Sequence, residues 1–339
     1  MDVEADPTGG LGQSEMLRRL ADVAQQATRL FLGDRDFDLD LLNQSENTTY
    51  QVTRPISGEK LVLRIHRTGY HTLAGIESEL DWMEALRQDA GVRTPTVVRN
   101  DAGERVHNIR TAELPEGRWC VFSEFLEGDE PDDADLLGSF PDLGEVTARM
   151  HRHARGWQRP SSFERFSWNV ETAFGTNPHW GHWYHGPGMD DETRALLGRA
   201  VKVLSRRLHE FGMDVDRFGL VHCDMRLANL LIHQGETRVI DFDDCGFSWF
   251  LYDLATALSF REHCRDTDAL VDAWLTGYRR VGRVSPEEES EIPSFLMYRR
   301  MLAVAWCGSH CETDLAKSLG PEFTHTTLLL AERYLQQFG

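Results

Sequence analysis

The spacing of the hydrophobic residues changes twice along this chain, and that change limits the folds open to it more than any single residue does. Over residues 15–31, Leu17, Leu20, Ala24, Ala27 and Leu30 recur every three or four positions, which predicts an amphipathic helix with one covered face. From Phe37 the period drops to two, and strands are expected at 37–42, 48–54 and 60–65, the last two forming an antiparallel hairpin across residues 55–58. A helical period returns over 74–90 through Ile76, Leu80, Met83 and Leu86. Glu79 shares that apolar side, and a carboxylate placed there needs a partner. Extended stretches at 94–99 and 119–125 lead to the acidic, turn-rich segment 127–133. Beyond it helices dominate: Leu143, Val146 and Met150 share one, Leu197, Val201, Leu204, Leu208 and Phe211 another that stops at Gly212, and Ser285-Pro286-Glu287-Glu288 heads a third as a capping box. Short strands are expected only at 219–221, 230–233 and 238–242. This predicts a two-lobed α+β chain, with residues 1–126 forming an antiparallel-sheet lobe with one main helix and an N-terminal helix, and residues 127–339 forming a larger helical lobe.

A chain of 339 residues buries enough core to fold without disulfide or metal staples. Its 36 Lys and Arg against 55 Asp and Glu give a net charge of −19, a field that repels nucleic-acid phosphates and anionic membranes and favours cationic ligands. No nucleic-acid or membrane partner is therefore expected. Six scattered cysteines and a start without a signal-peptide pattern lead us to expect a reducing cytoplasm, and no apolar run is long enough to span a bilayer.

The densest polar constellation lies around the expected hairpin of the second lobe. Asp224 and Asn229 are five residues apart on one loop, and Asp241 follows a strand that returns beside them. Such hard oxygen donors suit Mg²⁺ carried with substrate phosphates. The string His222-x-Asp224-x4-Asn229, with Asp241 twelve residues further in Ile-Asp-Phe, resembles the catalytic core of the aminoglycoside phosphotransferase and choline kinase family, relatives of the protein kinases. Tyr252-Asp253-Leu-Ala255 is similar to that family's helix after the metal-binding segment, and the likeness runs over residues 37–260.

This resemblance implies a bilobal protein-kinase-like fold and an ATP- and Mg²⁺-dependent phosphotransferase. Asp224 would accept or orient the proton of the acceptor hydroxyl, Arg226 would neutralise the transferring phosphoryl group, Asn229 and Asp241 would hold Mg²⁺, and Asp253 would brace the catalytic loop. In the small lobe, Arg64 would face the nucleotide phosphates with Glu79 positioning it. An arginine there departs from the family's lysine, and its fork is not equivalent. The glycine-free loop 44–49, with Ser45, Asn47 and Thr48, would cover the phosphates, and Ser123, Glu124, Phe125 and Leu126 would form the hinge for adenine. Cys223 stands where antibiotic kinases often have glycine.

Plainer readings exist beside these. Asp224, Asn229 and Asp241 also suit an ordinary turn, Arg64 and Glu79 a structural ion pair, and Cys223 a packed thiol. The run from His179 to His185 reads as a surface loop with aromatic anchors before it reads as a metal site, and its Trp180, Trp183 and Tyr184, with Trp168 and Trp249, serve either a substrate wall or the core. The acceptor expected is a small molecule, in keeping with an acidic cleft a cationic one such as an aminoglycoside-like compound or an aminoalcohol, with homoserine-type and sugar acceptors open. Rivals are a bacterial Ser/Thr protein kinase of this fold and a non-catalytic nucleotide-binding module. No sequence pattern speaks to oligomeric state.

Overall fold

The computed structural model describes residues 12–33, 36–44, 46–132 and 135–339. They divide into two compact units, Met1–Ala85 with Thr94–Glu127 and Arg159–Glu164, and Leu86–Arg93 with Gly128–Gln158 and Arg165–Gly339.

The first unit opens with helix α1 (Gln13–Leu32), which ends where Gly33 takes a φ of 75°, a left-handed value that glycine adopts without strain. Its apolar stripe, Met16, Leu20, Val23, Ala24, Ala27 and Phe31, packs on one face of an antiparallel sheet. Five strands make that sheet: β1 (Asp38–Gln44), β2 (Thr48–Thr53), β3 (Lys60–Ile65), β4 (Val106–Ile109) and β5 (Arg118–Glu124), in the order β1-β2-β3-β5-β4. Side chains alternate as the period of two requires, so Tyr50, Val52, Leu61, Leu63 and Ile65 meet α1. Helix α2 (Leu73–Asp89) follows β3.

Residues 94–99, expected as an extended stretch, do not become a strand of the ladder. Pro95 lacks an N–H and cannot sustain a ladder, so the segment offers only a bridge of Val97 with Ser123 and single bonds to Phe122 and Glu124. The strand that pairs with the outer edge of β5, opposite β3, is β4, whose four residues are too few to show a period.

The second unit is built on α3 (Leu136–Gly156), α4 (Val170–Phe174), α5 (Asp191–Phe211), α6 (Phe250–Ala257), α7 (Thr267–Tyr278), α8 (Pro286–Ser290), α9 (Ile292–Ser309) and α10 (Asp314–Phe338), the last broken at Gly320 and Pro321. The expected core of α3 is buried, as is that of α5 except for Val201, which is only half-buried while Ala200 takes the inner place; α5 stops at Gly212 with φ 81°, and the Ser285–Glu288 capping box forms. Two ribbons interrupt the helices: β6 (Phe218–Val221) with β9 (Gly246–Trp249), and β7 (Leu230–His233) with β8 (Glu236–Val239). The expected strand at 238–242 stops at Val239, because Asp241 adopts a φ of 60°, outside the extended region. Among the described residues no helix is long and apolar enough to cross a membrane.

Candidate active site

Strand β6 ends at Val221, paired with Gly246, and releases residues 222–229 as a loop at the end of that ribbon. A single turn of 3-10 helix (Leu227–Asn229) then feeds β7, which returns as β8 through Gln234 and Gly235, both with positive φ as a two-residue hairpin turn demands. Leu230 faces Val239 across this ribbon, and Ile240 donates its N–H to Asn229 O at 2.9 Å, so the register sets Asp241 beside Asn229. The loop and the hairpin's open end therefore bring Asp224, Asn229 and Asp241 to one place in the second unit.

Asp224 is buried and its carboxylate is crowded with donors. Asn229 Nδ2 reaches Oδ2 at 2.8 Å, and Arg226 Nε lies 3.1 Å from both oxygens. A further donor comes from α9, where Arg299 Nη2 meets Oδ1 at 2.9 Å. Burial by itself would push the carboxyl pKa up, but the charges of Arg226 and Arg299, with His222, outweigh it and hold Asp224 below the usual carboxylate range. It is an anion, and a weak base.

Both side-chain hydrogen bonds of Asn229 are made by Nδ2, to Asp224 O and Oδ2, which leaves Oδ1 as its atom for a cation. Asp241, two residues past the end of β8, is exposed and held in left-handed backbone, a strained setting for a residue other than glycine. An amide oxygen and a carboxylate are hard ligands of the kind Mg²⁺ takes when phosphates and waters complete its shell.

Asp253, in α6, organises the loop backbone as the resemblance implied. Its Oδ1 accepts from Cys223 N at 2.7 Å and its Oδ2 from His222 N at 3.1 Å. His151 Nε2 on α3 also reaches Oδ2 at 3.0 Å, and its Nδ1 meets the Tyr278 hydroxyl at 3.1 Å. Cys223 has a φ of 67°, and burial raises its thiol well above the ordinary value, so it is a packed, protonated group. Arg165 clamps the segment after Asp241 by donating to the carbonyls of Phe242, Asp243 and Cys245.

In the first unit, Arg64 ion-pairs with the fully buried Glu79. Thr49 faces Arg64 across β2 and β3, whereas Thr48 points to the core face with Tyr50 and Val52, so of these two threonines it is Thr49 that shares the face of Arg64. Asn47 Oδ1 accepts from Arg67 N at 3.0 Å, and Glu46 pairs with Arg67 at 3.1 Å. Ser45 lies outside the described residues. Along the proposed hinge, Ser123 faces Val62 in the β3–β5 ladder, Glu124 N donates to Thr96 O and Phe125 N to Lys60 O. Among the described residues Leu126, just past the strand, has its N–H in no backbone bond of this kind.

Trp168, Trp180 and Trp249 are buried, the core alternative for those rings. His179 bonds Ser167 O, His182 stacks on Tyr184, and among the described residues no group of three or more His, Cys, Asp or Glu is placed to hold a metal ion.

Three residues around the loop escaped the sequence reading: His151, Arg165 and Arg299. For Arg299 a signal existed, since Arg299-Arg300 interrupts an otherwise apolar helical run, and charges there demand buried partners. His151 and Arg165 sit among other polar residues and carry no comparable mark.

The model of the phosphotransferase enzyme family, which includes the aminoglycoside phosphotransferases, matches residues 38–285. A solved structure of a microcompartment-associated aminopropanol kinase superposes with a TM-score of 0.86 at 42% identity, covering 94% of this chain and 98% of that one. Amicoumacin kinase hAmiN, solved with AMP-PNP, Ca²⁺ and Ami, superposes at 0.75 with 24% identity over 96% of each chain and shares the fold. The amicoumacin kinase of Bacillus subtilis (strain 168) is 22% identical over 276 residues, 77% of each chain. With the family's model matched over most of its length and its fold shared with kinases of small molecules, this chain belongs to the phosphotransferase enzyme family.

Proposed function

We propose that this enzyme transfers the γ-phosphoryl group of ATP to the hydroxyl of a small aminoalcohol, with Asp224 orienting the hydroxyl. The observation that carries the reading is the convergence of Asp224, Asn229 and the register-placed Asp241 around one loop. The 42% identity to an aminopropanol kinase and the net charge of −19 favour a cationic acceptor.

Asp224 accepts a hydrogen bond from the acceptor hydroxyl and aims the oxygen lone pair at phosphorus. Its low basicity suits a loose transition state, in which the nucleophile keeps its proton until late. Arg226 uses only Nε on Asp224 and is partly exposed, so its terminal nitrogens are the groups to meet phosphoryl oxygens. Asn229 Oδ1 and Asp241 would hold Mg²⁺, which supplies charge neutralisation at the nucleotide phosphates. Within the first unit, Glu79 fixes the guanidinium of Arg64 for the phosphates, Asn47 belongs to the loop over them, and Leu126 N–H is the hinge donor left for adenine. The protein-kinase reading loses support because only residues 242–245 separate Asp241 from β9, which leaves no room for an activation segment. Six cysteines scattered along the chain favour a reducing cytoplasm as its place of action.

The test is phosphate transfer from labelled ATP with Mg²⁺ to 1-amino-2-propanol, ethanolamine, choline, homoserine and an aminoglycoside. One aminoalcohol is expected to be labelled, and Asp224→Ala to lower its turnover about a hundred- to ten-thousandfold. Transfer undiminished in Asp224→Ala would remove the assignment of Asp224, and preference for a neutral acceptor would remove the acceptor class.

A further inference from the structure

Asp224 is held by groups of two different kinds. Arg226 comes from the same loop, its side chain is 32% exposed, and one N–H is shared between both carboxylate oxygens at 3.1 Å. Arg299 comes from α9, 75 positions away in sequence, and its side chain is only 5% exposed. Each edge of its guanidinium has its own partner: Nε donates to Ser259 Oγ at 2.8 Å, Nη1 to the Tyr252 hydroxyl at 3.2 Å and Nη2 to Asp224 Oδ1 at 2.9 Å. Tyr252 neighbours Asp253, the residue that ties down the loop backbone, and Ser259 follows the other end of α6. The planar fork is thus fixed by α6 at two points before its last branch meets the carboxylate.

From this contrast we propose that Arg299 is a positioning residue for phosphoryl transfer, fixing the orientation of the Asp224 carboxylate through Oδ1 while the shared contact of Arg226 is the one that yields to the acceptor hydroxyl. A carboxylate free to rotate about its last bond presents its oxygens in many directions, whereas one pinned at Oδ1 by Arg299 and at Oδ2 by Asn229 presents a single edge. The role concerns turnover and not nucleotide binding, since among the described residues the hydrogen bonds of Arg299 go to Asp224 or to α6 and its flank, and its guanidinium otherwise lies over the buried ring of Trp180. It rests on the proposed part of Asp224 in the reaction.

The test is steady-state kinetics of Arg299→Gln, Arg299→Lys, Tyr252→Phe, Asp224→Ala and the double variant Asp224→Ala/Arg299→Gln, with melting curves for each. Arg299→Gln is expected to lower kcat about ten- to hundredfold, the loss of one charge-assisted hydrogen bond in the transition state. KM for ATP is expected to stay within about twofold, because the contact is made away from the nucleotide. Arg299→Lys, which keeps the charge and loses the fork, should recover only part of kcat. The double variant should be no slower than Asp224→Ala, because Arg299 acts through that carboxylate. Full kcat in Arg299→Gln, or a double variant slower by the product of the single losses, overturns the proposal. If Arg299→Gln does not fold, Tyr252→Phe and Arg299→Lys decide: both are expected to lose kcat at constant KM, and full kcat in both overturns it. An active Asp224→Ala marks failure of the Asp224 assignment itself, whereas an inactive Asp224→Ala beside a fully active Arg299→Gln marks failure of the Arg299 role alone.

Discussion

Asp253 shows how one buried side chain can hold an active loop in shape. Fully buried, it takes the N–H groups of His222 and Cys223 and the ring of His151, so three polar groups that burial would otherwise strand are satisfied by one carboxylate. Replacing it with alanine leaves those donors without partners, and Asp253→Ala is expected to lower stability by about 3 kcal/mol or more in urea denaturation. A loss under about 1 kcal/mol would mean that water or a shifted backbone replaces the carboxylate. The pattern around Tyr252-Asp253 made this residue legible in the sequence. His151, its partner from α3, was not legible, because a histidine among polar neighbours at a helix end signals nothing until the fold brings α3 to α6.

Elements meet in this protein through places that tolerate no extra atom. Where α3 crosses α7, a Cβ on Gly144 would collide with Trp274 O, and one on Gly277 with Pro141 O, so the two helix backbones touch directly. Gly277→Ala should cost about 1–3 kcal/mol, because helix propensity favours alanine while the clash forces the helices apart, and only the clash is large enough to set the sign. Thermal melting checks it, and a raised melting temperature would show that the crossing adapts. The sequence marked α3 but neither α7 nor their crossing, since a glycine in a helical run reads only as a weak position. Strand bounds failed for similar reasons. The left-handed Asp241 cuts short the strand expected at 238–242, and Pro95 keeps the extended stretch 94–99 from becoming a ladder strand.

Across the whole molecule, histidines whose pKa values lie low shape the response to acid. Desolvation lowers the pKa of the buried His151, the half-buried His153 and the more exposed His179 and His263 below the ordinary 6.5. Above pH 6.5 both folded and unfolded forms hold these rings neutral; below it the unfolded chain takes up protons that the folded one resists. Stability is therefore fully present above that value and declines as pH falls toward the lowered folded pKa values. Glu262, whose pKa burial raises, opposes the trend in the carboxylate range. The urea midpoint is expected to be lower at about pH 5.5 than at about pH 7.5, and a flat midpoint across that interval would show that these rings do not control it.

What the sequence determined by itself was local: the switch of period from helix to strand and back, the caps at Gly212 and Ser285, and the spacing of His222, Asp224, Asn229 and Asp241 that revealed the family. Each of these acts over a few residues, and its physics is written in neighbouring side chains. Tertiary structure alone decided that Thr49 and not Thr48 shares a face with Arg64, that β4 completes the sheet, and that Arg299 reaches Asp224 from another helix. Those outcomes depend on which distant surfaces pack together, and packing sums many small contacts that no local pattern records.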